Sequence, residues 1–188
     1  MKHFALTLCI AALLLGAARP ARAESWVIDY ADSHLGFTGM AGNTTFEGQF
    51  KKFTATVDFD PAHPEKGTIE ATIDMASATT GNDERDAALP GENWFDVKHF
   101  PAAHFVASSI DRTGARSFEA QGQLTIKGVT QPIVLPFTMM PDGKDWRIKG
   151  SAALIRNQFG VGEGRWGDDN VVAYEVDVTV DLVAKPVS

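Results

Sequence analysis

The sequence predicts an all-β protein, an eight-stranded antiparallel up-and-down barrel with one short helical insert between strands. The first observation is the stretch 117–140, where apolar and polar residues alternate with period two on both sides of a polar break that contains Gly128 and Pro132. Such alternation is typical of strands with one dry and one wet face, and the break predicts a hairpin. The second observation is that similar segments recur along the chain with mostly short connections, as in up-and-down barrels.

Residues 1–23 have the pattern of a cleaved export signal rather than of a folded element. Lys2 supplies the positive start, residues 4–18 are almost wholly apolar, and Ala21-Arg22-Ala23 is a small-x-small cleavage site. We therefore expect a mature domain of residues 24–188. The one cysteine, Cys9, lies inside the signal, so the mature domain is expected to contain no disulfide.

The charge of the mature domain limits the classes of partner that it is expected to bind. Loss of Lys2, Arg19 and Arg22 with the signal changes the formal net charge from −7 to −10. An acidic surface disfavours nucleic acid and electrostatic adhesion to anionic lipid. About 165 residues correspond to one ordinary domain.

The remaining strands follow from the same alternation. They are predicted, in chain order, at residues 26–38, 46–60, 68–75, 104–110, 146–156 and 172–183. The first is interrupted near Ala31-Asp32. In the second the apolar parity changes at Lys51-Lys52, which predicts a bulge or bend. The pair Asp142-Gly143 is typical of a hairpin turn.

The stretch 77–103 is the one long segment without strand alternation. Asn82 can cap a short helix with acidic residues in its first turn, and Pro90 ends it. Trp94, Phe95 and Phe100 crowd the end of this insert. We expect the insert to lie over one mouth of the barrel.

Small residues on the apolar parity raise the question of a hollow interior. Large residues would be expected there in a fully packed core, and an eight-stranded barrel is near the size that holds one narrow ligand. The alternative is that bulky aromatic residues opposite fill the gap, and alternation alone does not decide between the two. The small residues are Ala71, Ala120, Gly122, Gly150 and Ala152.

Three motifs have structural interpretations that outweigh functional ones. The stretch 162–167 matches G-x-G-x-x-G, but no helix follows that could hold a phosphate, so it is predicted to be a glycine-rich loop. The charged run Asp83 to Asp86 is typical of a solvated helix, although acid–base chemistry is its functional alternative. His34, His63, His99 and His104 do not follow a metal-binding spacing, so we expect no metal site and no resident cofactor.

Short motifs spread over the whole mature domain resemble the YceI-like family of lipocalin-like polyisoprenoid-binding proteins of the bacterial periplasm. Their order and spacing carry the resemblance more than any single block does. The motifs are Trp26-x-Ile28-Asp29, Ser33-His34-x-x-Phe37, Gly48-x-Phe50, Thr80-Gly81, Arg85-Asp86-x-x-Leu89, Phe95-Asp96-Val97, Phe100-Pro101-x-x-x-Phe105, Gly122-x-Leu124-Thr125-Ile126-x-Gly128-Val129-Thr130 and Arg156-x-x-Phe159-Gly160.

The chain departs from the family pattern at two places. Gly39-Met40 and Ala88 stand where many members have histidines. With its glycine-rich turn the chain is similar to a branch that is sometimes found fused to, or beside, a membrane b-type cytochrome.

The resemblance implies a lipocalin-like barrel with an apolar tunnel for a long isoprenoid, either a polyprenyl derivative or a quinone-type lipid. Alternation assigns side chains to the tunnel wall, and the aromatic residues of the insert and of a later loop are assigned to its mouth. The predicted tunnel residues are Phe50, Ile69, Ile73, Phe105, Phe118, Gly122, Leu124, Ile133, Leu135, Phe137, Ile148, Val176 and Val178, and the predicted mouth residues are Trp94, Phe95, Phe100 and Phe159.

We therefore expect a non-catalytic periplasmic protein that carries or sequesters an isoprenoid lipid, with transient membrane contact. The first alternative is a lipid-modifying enzyme that uses Arg85, Asp86 and a histidine at the mouth. The second is a stress-related partner module of a membrane b-type cytochrome. The oligomeric state is left open, a homodimer being one option.

Overall fold

The computed structural model describes residues 25–186, so the predicted signal peptide (residues 1–23) lies outside the described residues. The chain forms one continuous antiparallel sheet. In chain order its elements are β1 Ser25–Ala41, β2 Thr44–Phe50, β3 Phe53–Asp58, β4 Thr68–Asp74, β5 Ala78–Thr79, α1 Asp83–Ala88, β6 Ala102–Arg112, β7 Ser117–Ile126, β8 Val129–Asp142, β9 Asp145–Ile155 and β10 Glu175–Pro186.

Pairing of the first strand with the last closes the sheet into a barrel. β1 pairs with β10 on one side and with β2 and β3 on the other. All other main neighbours are consecutive along the chain, apart from the two-residue β5, which only extends the edge of β2. Since β2 and β3 are the two halves of one bent strand, the barrel has eight strands. The predicted eight-stranded up-and-down barrel is confirmed.

Both predicted irregularities occur, and each has local hydrogen bonds that explain it. At Lys51-Lys52 the backbone amides donate to the carbonyl and the hydroxyl of Ser77 instead of continuing the ladder. In β1 the register against β10 shifts between Asp29 and His34. There the Ser33 hydroxyl donates to the Asp29 carbonyl at 2.6 Å and accepts from the Val183 amide at 3.0 Å, so the backbone groups freed by the bulge are satisfied.

The wall is less regular between β8 and β9. These strands pair only over the stretch from Phe137 to Asp142, opposite Gly150 to Asp145. The first half of β8 pairs with β7 alone, and it contains Pro132 and Pro136. A proline has no amide hydrogen to donate, so prolines are tolerated where a strand edge lacks a partner. The two strands therefore separate toward one end of the barrel.

The opposite end is closed by packed aromatic rings. The indole of Trp26 donates to the Phe59 carbonyl at 2.7 Å, and the Phe59 ring meets Phe118 edge-on at 5.1 Å. Phe118 in turn stacks on Phe137 at 5.4 Å. These residues belong to one buried cluster with Ile110 and Met139, among others. We call this end the closed end; the other, where α1 and the insert lie, is the open end. No helix between residues 25 and 186 is long and apolar enough to span a bilayer.

Phe59→Ala should lower the free energy of unfolding by about 3–5 kcal/mol, because it leaves a cavity where a ring 2% exposed contacts two others. Urea denaturation measures the loss. Val134→Ala, at a side chain 51% exposed on β8, is the control and should change it by less than about 1 kcal/mol. Equal losses for the two variants would contradict the assignment of the closed end as the main core.

Candidate functional site

The barrel encloses one long apolar cavity that begins above the closed end. Its volume is about 480 Å³, inside the range of roughly 300–1,000 Å³ usual for ligand pockets. Along β10 the wall runs from Val176 to Leu182, a depth of about 20 Å at the rise of an extended strand. Forty residues line the cavity, and 35 of them are apolar or aromatic. The interior therefore offers an extended apolar chain contacts along its whole length.

Most of the predicted tunnel residues lie on this wall. They come from seven strands, because period-two alternation turns every second side chain inward. The residues on the wall are Phe50, Ile69, Ile73, Phe105, Leu124, Ile133, Leu135, Phe137, Ile148, Val176 and Val178. Their contact with a ligand stays a prediction.

Phe118 and Gly122 were predicted on the tunnel wall but do not line the cavity. Phe118 is 3% exposed and belongs to the ring cluster of the closed end, below the cavity. A Cβ on Gly122 would lie 2.6 Å from the carbonyl oxygen of Val106 and 2.7 Å from the Phe105 ring, so strand β6 already occupies the space left by the missing side chain. Both corrections have one cause: the alternation gives the direction of a side chain but not which neighbour fills the space.

Some of the small residues that alternation turns inward line the cavity, and others lie in the packed core. Ala71 and Ala152 lie on the cavity wall. Ala120 is fully buried in the core, and a Cβ on Gly150 would meet the carbonyl oxygen of Pro136 at 2.8 Å. The two alternatives left open by the sequence therefore both apply, with a filled core at one end and a cavity above it.

The predicted mouth residues lie near the open end, and three of them line the cavity: Trp94, Phe95 and Phe159. Phe100 does not line it. Its ring lies against the β7–β8 turn, 2.8 Å from where a Cβ on Gly128 would be. Gly128 has a φ of 76°, so this close approach and the turn conformation both require glycine.

Arg156 organises the mouth, a role that the motif Arg156-x-x-Phe159-Gly160 does not by itself reveal. The residue is 4% exposed, and its guanidinium donates five hydrogen bonds of 2.6–3.0 Å, all to backbone carbonyls. Those carbonyls belong to Val161, Gly162, Trp166, Val172 and Ala173. Burial lowers the pKa of Arg156, while Tyr174 and Asp169 oppose this shift. The side chain thus uses every N–H donor to hold one loop.

That loop, residues 160–174, contains the G-x-G-x-x-G pattern and is the predicted glycine-rich loop. Only a 3-10 turn, Gly164–Trp166, follows the first glycines. Two features require glycine at position 162: a Cβ there would overlap Nη1 of Arg156, and the backbone φ of 78° is in the left-handed region. Lys127 fastens the loop to the β7–β8 turn by donating to Gly160 O at 2.7 Å and to Glu163 at 3.0 Å.

Gly162→Ala should lower the free energy of unfolding by about 3 kcal/mol, because it adds a steric clash with Arg156 to backbone strain. Gly42→Ala is the matched control: φ is 55° but no atom lies within 4 Å of the new Cβ, so about 1 kcal/mol is expected. Thermal and chemical denaturation give the two values. A loss at Gly162 no greater than that at Gly42 would show that Arg156 does not constrain the loop.

Among residues 25–186, polar side chains enter the wall only at the open end. They are Thr80, Asn82, Glu84, Arg85 and Arg156. The predicted helix cap is present, since Asn82 Oδ1 accepts from the Arg85 amide at 3.0 Å. Asp86 accepts from the Thr79 hydroxyl at 2.6 Å and from the amide and hydroxyl of Thr80 at 2.7 Å. The carboxylate of Asp86 thereby ties α1 to the segment that precedes it.

The pKa of the Asp86 carboxyl lies below its usual value. The largest cause is the hydrogen bond from the Thr79 hydroxyl, and the hydrogen bonds from Thr80 add to it, whereas burial opposes the shift. Since the folded-state pKa lies below the unfolded value of about 3.9, this carboxylate stabilises the fold above that pH, and its contribution is lost as the pH falls through the folded pKa. The charged run therefore contains a structural acid.

Asp86→Asn should lower the free energy of unfolding at neutral pH by about 1 kcal/mol, and the wild-type and variant stabilities should converge in acid. Urea denaturation at a series of pH values from neutral to strongly acidic measures this. Asp83→Asn, at an exposed carboxylate of the same helix, is the control and should retain the acid-dependent loss. A constant difference between wild type and Asp86→Asn at all pH values would contradict the role given to this carboxylate.

The four histidines of the described range are dispersed on the surface. His34, His63, His99 and His104 are all exposed. His99 contacts Asp96 at 2.9 Å and His104 contacts Thr72 at 3.2 Å. Within residues 25–186 no group of three or more His, Cys, Asp or Glu side chains could hold a metal ion. The polar chemistry of the described site is therefore hydrogen bonding and charge at the open end.

An eight-stranded barrel with one deep apolar cavity defines a lipocalin-like protein. More narrowly, the chain belongs to the YceI-like domain family, whose model matches residues 26–184. A UPF0312 protein of Pseudomonas syringae pv. tomato is 33% identical over 94% of this chain and 97% of the relative. One of Photorhabdus laumondii is 33% identical over 77% and 76% of the two chains.

Solved structures share the barrel. Burkholderia cenocepacia BcnA has a TM-score of 0.80 and 37% identity, covering 84% of this chain and 99% of that chain. A Campylobacter jejuni YCEI protein has a TM-score of 0.67 and 25% identity over 77% and 86% of the two chains. A polyisoprenoid binding domain from Saccharophagus degradans has a TM-score of 0.67 at 15% identity, covering 88% and 99%, which is a likeness of fold.

Proposed function

We propose that this protein binds a long isoprenoid lipid in the barrel and carries or sequesters it in the periplasm without chemical change. The observation that carries the proposal is the cavity itself: closed by rings at one end, apolar along about 20 Å, and polar only at the open end. An amphiphile with an apolar tail and a small polar head has the same distribution of polarity. The similar fold of a polyisoprenoid binding domain supports the ligand class.

The energetics of transfer support a carrier. Exposure of a prenyl tail of about thirty to forty carbons to water costs roughly 25 kcal/mol or more, at about 0.8 kcal/mol per CH₂. A tail that moves from a bilayer into an apolar barrel exchanges one apolar surrounding for another, so the exchange can be nearly neutral. The wall supplies these contacts with Phe, Ile, Leu and Val and asks for no hydrogen bond from the tail.

The proposal includes a periplasmic location and a non-catalytic role. The export signal predicted at residues 1–23 and the membership of the YceI-like family support a periplasmic protein. The scarcity of polar side chains supports the non-catalytic assignment, because only five of the forty described residues that line the cavity are polar. One of these, Arg156, is fully engaged in holding the 160–174 loop.

Native mass spectrometry of the exported protein, purified without detergent, tests the proposal directly. We expect a co-purified mass that fragments as a prenyl lipid. Chemical conversion of added prenyl lipid by the protein would support the enzyme alternative. Co-isolation of the unloaded barrel with a haem protein would support the cytochrome-partner alternative, and either result would overturn the carrier.

Ala152→Phe should reduce lipid loading at least tenfold, because the new ring projects into the cavity opposite β4. Ser151→Phe is the matched control: it adds the same ring to the neighbouring exposed position of β9 and should load normally. Loading is measured by displacement of a fluorescent lipid, and folding by circular dichroism. Ala71→Phe on the opposite wall repeats the test if Ala152→Phe does not fold. Normal loading of a folded variant of either kind would contradict the site.

A further inference from the structure

We propose that Arg85 binds the head group of the lipid, and that this head group presents an uncharged oxygen acceptor of the carbonyl class rather than a diphosphate. The inference deepens the proposed function and rests on it. It depends on which polar groups at the open end still have unused hydrogen-bonding capacity.

The two arginines on the cavity wall differ in this respect. Arg156 donates all five of its N–H groups to backbone carbonyls. Arg85 donates from Nε alone, to the Thr80 hydroxyl at 3.1 Å. Its two terminal nitrogens make no hydrogen bond or ion pair with any residue in the range 25–186. Arg85 is thus a wall residue with a pair of parallel donors to offer.

The guanidinium of Arg85 is held in position from two sides. Its carbon lies 5.0 Å from the centre of the Phe46 ring, a cation–π contact, and both residues line the cavity. On the other side Thr80 accepts from Nε, and Thr80 is itself held by Asp86 at 2.7 Å. Since the side chain is ordered by its own neighbours, little rotamer freedom remains to be lost when an acceptor binds.

A second donor at the same end points to the same ligand chemistry. The indole Nε1 of Trp94 is covered and has no hydrogen-bond partner among the described residues, and the Trp94 side chain lines the cavity. A covered N–H without a partner destabilises the protein, and an acceptor that binds there removes this cost. The carboxylate of Glu84, by contrast, is exposed to water. Among the polar groups at the open end that are shielded from water, the unused ones are therefore donors, and they favour a head group that accepts hydrogen bonds.

The charges around Arg85 favour a neutral acceptor. Asp83, Glu84 and Asp86 share the six-residue helix α1 with it, so this helix has a net charge of −2. Sites for phosphate groups usually concentrate several arginines or lysines. Here the other arginine of the wall is engaged with the 160–174 loop. A carbonyl oxygen can accept from Arg85 without approaching three carboxylates as an anion.

Competition binding with four proteins tests the inference: wild type, Arg85→Met, Arg85→Lys and Arg165→Met. The probes are a prenyl quinone, a prenyl diphosphate and the plain hydrocarbon of the same tail, each displacing a fluorescent lipid. Arg85→Met keeps an apolar stem over Phe46 but removes the donors. Arg165→Met is the matched control, because Arg165 also lies over an aromatic ring, that of Trp166 at 4.3 Å, but outside the cavity wall.

Wild type should prefer the quinone over both other probes. Arg85→Met should weaken quinone binding about tenfold and leave hydrocarbon binding unchanged, while Arg165→Met should alter neither. Arg85→Lys, which keeps the charge but not the paired donors, should also lose part of the preference and serves if Arg85→Met does not fold. Tighter binding of the diphosphate, or an unchanged quinone preference in folded Arg85 variants, would overturn the head-group assignment while the carrier stands. Failure of wild type to bind any prenyl probe would overturn the carrier and this inference together.

Discussion

Closure of the sheet by the pairing of β1 with β10 is the constraint on which the rest of the molecule depends. A closed sheet has a single inside, so period-two alternation in each strand sends half of its side chains into one common space. Within residues 25–186 the strand edges that remain incompletely paired are the outer edge of β2, which β5 extends by two residues, and the stretch where β8 and β9 separate beside Pro132 and Pro136. The cavity is therefore a consequence of closure, and its polarity is set by one face of every strand.

Packing changes along the axis of this space. At the closed end Trp26, Phe59, Phe118 and Phe137 fill the interior with rings in direct contact. Toward the open end smaller wall residues leave the space unfilled, as at Ala71 and Ala152. A barrel that is solid at one end and hollow above has a core that supplies stability and a cavity that can exchange its contents. The two roles are separated along the strands rather than assigned to different strands.

The open end is shaped by two polar anchors of opposite sign. Arg156 donates hydrogen bonds to the carbonyls of the 160–174 loop. Asp86 accepts hydrogen bonds from the hydroxyls and the amide of the segment before α1. Each anchor satisfies backbone or hydroxyl groups that irregular chain would otherwise leave without partners beside an apolar cavity. Arg85 is attached to the second anchor through Thr80, and its terminal nitrogens have no acceptor among the described residues.

The sequence by itself determined the strand alternation, the bend at Lys51-Lys52, the Asn82 cap and the direction of most wall residues, because these depend on local periodicity and local hydrogen bonding. Tertiary structure alone decided that strand β6 fills the space at Gly122, that Phe118 belongs to the closed end, and that Arg156 holds a loop. Those outcomes depend on which side chains meet across the barrel. Contacts between strands far apart in the chain leave no periodic signal in either strand.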